Sequence, residues 1–201
     1  MEQEEPRLRA GRAGIKPEIV IAAAAEIADE SGWSHATLAN VAGKLEIKTP
    51  SLYNHVKGLA DLRHKLAVHG VQLLRDVMFD AAIGETGKEA IRKIAIAYVD
   101  FVRTHPGLYE AINRVDDSAE PDFAKASDDL LSIFGRLLRP LALSEEEMVH
   151  VVRGLRSLVH GFASLEAMGG FQMPEDTKTS LTKAINYYFD GIAANINQRP
   201  N

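Results

Sequence analysis

The 201-residue chain has no cysteine, which rules out disulfides and thiolate-held metal. It has no run of the ~18 apolar residues that a membrane-spanning helix needs. The opening MEQEEPRLRAGR lacks the apolar core of a signal peptide, so a soluble, unexported, cytoplasmic protein is expected. No G-x-S-x-G elbow, no glycine-rich phosphate loop and no H-x-x-x-H pair occurs, so the common hydrolase, nucleotide and zinc signatures are missing. Internal repeats and low-complexity tracts are also absent. No cofactor and no metal is expected.

What is present is helical periodicity. Forty-six per cent of the residues are hydrophobic and 25% charged, the balance of ordinary globular material. Residues 1–14 mix charges with Gly and Pro and are expected to form a flexible arm. A first helix opens at Pro17, carries Ile19, Ala23 and Ile27 on one face and stops at Gly32. Two short helices follow, Thr37 to Leu45 and Thr49 to about Val56, with Thr49-Pro50 read as a cap and a helix-starting proline. A long helix is expected from Leu59 to Phe79, broken at Gly84 to Gly87. The next carries Ile91, Ile94, Tyr98, Phe101 and Val102 and ends at His105-Pro106-Gly107. A short helix from Leu108, an acidic turn from Asp116 to Asp122 and a helix to Leu138 come next. Ser144 and Glu147 form a capping box opening a helix to about Met168, and a last amphipathic helix follows Pro174. This is an all-α fold of about nine helices.

Charge is uneven along it. Between Arg7 and Lys65 there are nine Lys/Arg against six Asp/Glu; from Leu66 onward there are fourteen against nineteen. A locally basic end on an acidic body, net −5, suits a site-specific rather than an indiscriminate DNA binder.

The segment TLANVAGKLEIKTPSLYNHVKGLADL, Thr37 to Leu62, carries the chemistry. Leu45-Glu46-Ile47 must turn the chain sharply, while Leu38, Val41, Ala42, Ile47 and Leu52 supply small and apolar packing surfaces. The second short helix then offers Lys48, Thr49, Ser51, Tyr53, Asn54 and His55, with Lys57 beyond. Hydroxyls near a helix N-terminus reach phosphate or base edges, lysines bring charge to the backbone, and the Pro50 ring can meet a thymine methyl.

This segment resembles the recognition unit of the tetracycline repressor (TetR) family, A-x-x-x-G-V-x-x-x-x-L-Y-x-H-F/V-x-x-K-x-x-L. Ala42, Ile47, Leu52, Tyr53, His55, Val56 and Leu62 fall on the motif. The resemblance covers residues 15–65. It implies that Tyr53 and His55 contact phosphates while Thr49, Pro50, Ser51 and Asn54 meet bases or the groove edge, with Thr37, Lys48 and Lys57 completing the DNA-binding set. Three positions depart from it. Glu46 stands where glycine is usual, Ala39 where a polar reader often sits, and Leu59 where lysine is usual.

By the same resemblance the domains are 15–62, a helix-turn-helix DNA reader, and 63–201, a ligand-binding and dimerisation body. Arg156-Ser-Leu-Val-His160-Gly161-Phe162, running to Glu166, is similar to the R-S-x-x-H-G-F-x-x-L-E signature of one subgroup. A homodimer is implied, joined through the last two helices, with Arg153, Ser157, Leu158, Gly161, Leu181, Ile185, Tyr188, Phe189 and Ile192 as interface candidates. A small-molecule effector is implied as well, with Tyr98, Phe101, Tyr109, Phe134, His160 and Phe162 as candidate contacts.

Alternatives stay open for several of these residues. The aromatics either line a cavity or fill the core, and His160 is a core histidine, a ligand anchor or, less readily, a metal ligand. Arg103, Arg153 and Arg156 either meet an anionic ligand or make salt bridges. The function implied is a regulator, repressor in type, that binds a pseudo-palindromic double-stranded operator as a dimer and is released by its effector. A TetR-like adaptor without regulated DNA binding and a small hydrolase using His160 are the rivals. No membrane partner is expected.

Overall fold

The structure, a computed structural model, describes residues 15–114 and 120–197. Among them are nine α-helices and no strand. The expected arm (1–14) and most of the acidic turn (115–119) lie outside the described residues.

α1 (Pro17–Ser31) opens on proline and buries Val20, Ala23, Ala24, Ile27 and Ala28. It ends where Gly32, at φ 95°, donates its N–H to the Ala28 carbonyl. α2 (Leu38–Lys44) is capped by Thr37, whose Oγ1 accepts the Asn40 N–H at 3.2 Å. The turn after it is a Schellman closure: Ile47 N–H reaches the Ala42 carbonyl at 3.0 Å and Glu46 N–H the Gly43 carbonyl at 3.1 Å. That closure requires a left-handed residue, and Glu46 supplies it at φ 56°.

α3 is shorter than expected, a single turn from Thr49 to Leu52. Lys48, not Thr49, takes the N-cap position, and no side chain caps the helix. Beyond Leu52 the N–H groups of Tyr53 and His55 bond three residues back, to Pro50 and Leu52, so the chain tightens into turns rather than continuing the helix.

α4 (Leu59–Ala82) is the longest helix. α5 (Gly87–Thr104), α6 (Pro106–Arg114), α7 (Pro121–Leu137), α8 (Glu145–Ala167) and α9 (Thr177–Asn197) follow. The Ser144–Glu147 capping box is present at the start of α8, with both reciprocal bonds formed.

The described residues fall into two compact units. One takes those within 1–70 and 105–123, and the other those within 71–104 and 124–197. The first holds α1 to α3, the start of α4 and also α6. The boundary expected at residue 62 therefore falls inside the first unit, which also claims α6 from the chain beyond it. The reason is tertiary: α6 packs on α1, and Asp29 of α1 accepts the Gly107 and Leu108 N–H groups at 2.8 and 3.0 Å. In the second unit α5 packs against α8 and α9. Its core contains Ile91, Ile94, Tyr98, Val99, Leu155, Val159, Leu181 and Ile185, all buried.

Candidate nucleic-acid interface

The surface formed by α3 and the turn after it is exposed and polar. Lys48, Pro50, Ser51, Asn54 and Lys57 are exposed, Thr49 and His55 half-buried, and Tyr53 is 58% exposed. Leu52 and Val56 are buried between them and anchor the segment. Tyr53 is among the more exposed large side chains of the described residues and stands beside polar and basic groups rather than apolar ones. Thr37 stands apart from this set: it is half-buried and its hydroxyl oxygen is engaged in capping α2.

The turn is braced from α4. Asp61 accepts the Lys57 N–H at 2.8 Å and pairs with Lys65 at 2.9 Å, and Lys65 also donates to the His55 carbonyl at 2.9 Å. Burial pushes the Asp61 carboxyl up, but the Lys65 and Lys57 hydrogen bonds outweigh it and hold the group below the usual carboxylate range. The carboxylate is therefore ionised at neutral pH and the brace is in place.

Among the described residues, Lys48 and Lys57 have no side-chain counter-ion, whereas Lys44 is held by Glu26 at 2.8 Å and Glu30 at 3.4 Å. The Glu26 hydrogen bond raises the Lys44 pKa. Neither the Lys48 nor the Lys57 ammonium forms a described ion pair, although the Lys57 charge is felt by the Asp61 carboxylate. Arg63 sits over the Trp33 ring at 5.2 Å, a cation–π contact on the rim of the same unit that sequence spacing gave no reason to expect.

The other candidate residues are placed differently. Tyr98, Phe101 and Phe134 are buried, at 8%, 2% and 7% exposure. Each therefore serves as core where it stands. Tyr109 is half-buried and belongs to the first unit, so the six proposed effector contacts do not gather in one unit. His160 and Phe162 are half-buried, and Phe162 lies against Phe171 with ring centroids 4.7 Å apart.

Arg103 forms a two-point pair with Glu166, at 2.6 and 2.7 Å, and also bonds Asp100. The Arg103 hydrogen bond holds the Glu166 carboxyl below its usual range. This arginine is an ion-pair residue.

The interface candidates divide. Leu181, Ile185 and Phe189 are buried within one chain, at 2%, 0% and 6% exposure, because they fill the α5–α8–α9 core. Within one chain they are therefore core residues. Tyr188 donates its hydroxyl to the Val151 carbonyl at 2.8 Å and fills the space above Gly154, where a Cβ would lie 2.2 Å from the hydroxyl oxygen. Burial raises its pKa. Arg153 and Ser157 remain exposed, and Leu158, Gly161 and Ile192 half-buried.

A tetracyclin repressor-like C-terminal domain matches residues 91–188. The uncharacterised HTH-type transcriptional regulator YobS of Bacillus subtilis is 38% identical over 186 residues, spanning 92% of this chain and 96% of that protein. The chain belongs to the TetR family of helix-turn-helix transcriptional regulators.

Solved TetR structures agree with the fold. The regulator SCO7222 from Streptomyces coelicolor superposes with a TM-score of 0.72 at 17% identity, over 90% of this chain and 98% of that one. A TetR variant from Acinetobacter baumannii AYE, solved in complex with minocycline, gives 0.67 at 18% identity, over 90% and 97%. The family model and the relatives are those of transcriptional regulators rather than enzymes. No described helix of this TetR protein is long and apolar enough to cross a membrane, and no described group of three or more His, Asp or Glu residues could hold a metal ion.

Proposed function

We propose that this TetR-family regulator is a repressor that binds a pseudo-palindromic operator as a homodimer in the cytoplasm and is released by a small molecule. The observation that carries the reading is the outward face of α3 and its turn, where Tyr53 is 58% exposed beside Lys48, Ser51, Asn54 and Lys57. Phosphate contacts come from Tyr53, His55, Lys48 and Lys57 and fix the register. Base contacts come from Thr49, Pro50, Ser51 and Asn54 and give the sequence preference. Ala39 is exposed but carries no polar group, so α2 adds little to base reading and specificity rests on α3.

The dimer uses the outward face of α8 and α9. Arg153, Ser157 and Gly161 recur at helical spacing on α8, and Tyr187, 71% exposed, stands out on α9. Small residues there let two helix pairs approach closely in an isologous four-helix contact. Two readers would then enter successive major grooves about 34–36 Å apart. The stretch from Arg156 to Glu166 supports assignment to the R-S-x-x-H-G-F subgroup. An effector releases DNA only if it binds the non-operator arrangement more tightly than the operator-bound one.

Size exclusion with light scattering, followed by selection from random duplexes, tests the reading. The expected result is a dimer that enriches an inverted repeat with salt-sensitive affinity. A monomer at micromolar concentration, or no enriched sequence, overturns it.

A further inference from the structure

The C-terminal half of α4 and the facing side of α7 enclose an open groove of about 480 Å³ within the second unit. Neither the expected effector contacts nor the expected interface residues line it. Its walls are mainly apolar. Phe79 and Ile83 of α4 face Ile133 and Leu137 of α7, and Phe79 and Ile83 remain 50% and 66% exposed. Two large apolar side chains left open to water on a concave surface of that volume match the usual build of a small-molecule site.

The charges at the groove are not balanced along its length. At one end Arg75 is bonded through Nε and a terminal nitrogen to Asp76, at 2.8 and 2.6 Å, and Asp129 is paired with Lys125 at 3.0 Å. Those four charges cancel. Two helical turns further along α7, Arg136 is exposed and has no counter-ion among the described residues. One guanidinium is therefore left over beside the apolar walls. Its planar pair of N–H donors suits a carboxylate held at two points. From Arg75 to Ile83 the helix advances eight residues, about 12 Å, which suits a medium-length chain and is short for a docked helix.

We propose that this groove binds a small amphipathic anion: an apolar chain or ring lying on Phe79, Ile83, Ile133 and Leu137, with one carboxylate on Arg136. The assignment concerns occupancy of the groove and holds whether or not the bound molecule releases DNA, so the operator experiment and this one fail independently.

Calorimetric titration of the full chain with decanoate, below its micelle concentration, tests it. Decanol and decyltrimethylammonium serve as charge controls. One decanoate per chain is expected, with both controls at least tenfold weaker. Arg136→Ala is expected to weaken decanoate at least tenfold and leave decanol unchanged. Ile83→Asp is expected to abolish binding of both, and Leu131→Asp, on an exposed position outside the groove, to change neither. Each of these side chains is on the surface, so thermal melting of the variants should match the parent and exclude misfolding. The proposal is overturned by an absence of saturable binding, by decanol binding as well as decanoate, or by indifference to Arg136→Ala. Self-association that Ile83→Asp abolishes would also overturn it, since the groove would then be a contact between copies.

Discussion

The carboxylate of Asp29 on α1 accepts the Gly107 N–H at 2.8 Å and so acts as the N-terminal cap of α6, a helix that starts 77 residues later in the chain. Its other oxygen meets Nδ1 of His105 at 2.8 Å. The approach is close enough that a Cβ on Gly107 would fall 2.1 Å from the Ala28 carbonyl carbon. Glycine is required there by contact with the backbone and not by its φ. Gly107→Ala should therefore destabilise the first unit by about 1–3 kcal/mol or more, the range of an overpacked core. Asp29→Ala, which removes a cap, should cost about 1–2 kcal/mol. Urea unfolding followed by circular dichroism measures both, and an unchanged Gly107→Ala midpoint would show that α6 does not sit on α1 this way.

His69 lies near the same cluster. Burial lowers its pKa below the ordinary value of 6.5, the neighbouring His105 lowers it further, and Asp29 partly opposes them. A lowered histidine pKa means that the unfolded chain takes up the proton more readily than the folded one. The stability this group contributes is present above the unfolded value and is lost as pH falls from there through the lower folded value. The unfolding midpoint should drop as pH falls below about 6.5, and His69→Gln should flatten that part of the profile. Identical slopes for the two proteins would refute the assignment.

Glu46 holds the left-handed position of the turn between α2 and α3 at φ 56°. A side chain there costs about 1 kcal/mol relative to glycine, some of which is returned by the greater freedom of glycine in the unfolded chain. Glu46→Gly should raise the melting temperature by about 2–4 °C at most, and Glu46→Val should lower it. Scanning calorimetry decides the sign, and a drop for Glu46→Gly would contradict the strained turn.

On the operator, Lys57→Ala should weaken binding to all duplexes alike and reduce the slope of log affinity against log salt by about 0.9. Asn54→Ala should instead relax preference at one base position, at a cost of about 1–3 kcal/mol for the preferred sequence. Fluorescence anisotropy over a salt series separates the two. A Lys57→Ala protein with the parent slope would remove Lys57 from the phosphate contacts.

Much of the fold was legible in the chain. Pro17, Thr37, Gly32 and the Ser144–Glu147 box mark helix ends through local chemistry, and the structure has the helices they delimit. Glu46, which stands where the resemblance puts glycine, does take a left-handed conformation at φ 56°. Locally determined features failed only where two local signals competed. At Thr49-Pro50 the proline pointed to a start, but the cap fell one residue earlier and the helix closed after a single turn.

What the sequence by itself determined is the all-α class and the start or end of most helices, because periodicity and capping act within a few residues of one another. Tertiary structure alone decided which apolar stripes are used inside one chain. Leu181, Ile185 and Phe189 are apolar on either reading, and only the packing of α5 against α9 makes them core. It alone also attached α6 to α1 through Asp29, and left Arg136 without a counter-ion beside Phe79 and Ile83. Those relationships join residues far apart in the chain, and no spacing rule reaches that far.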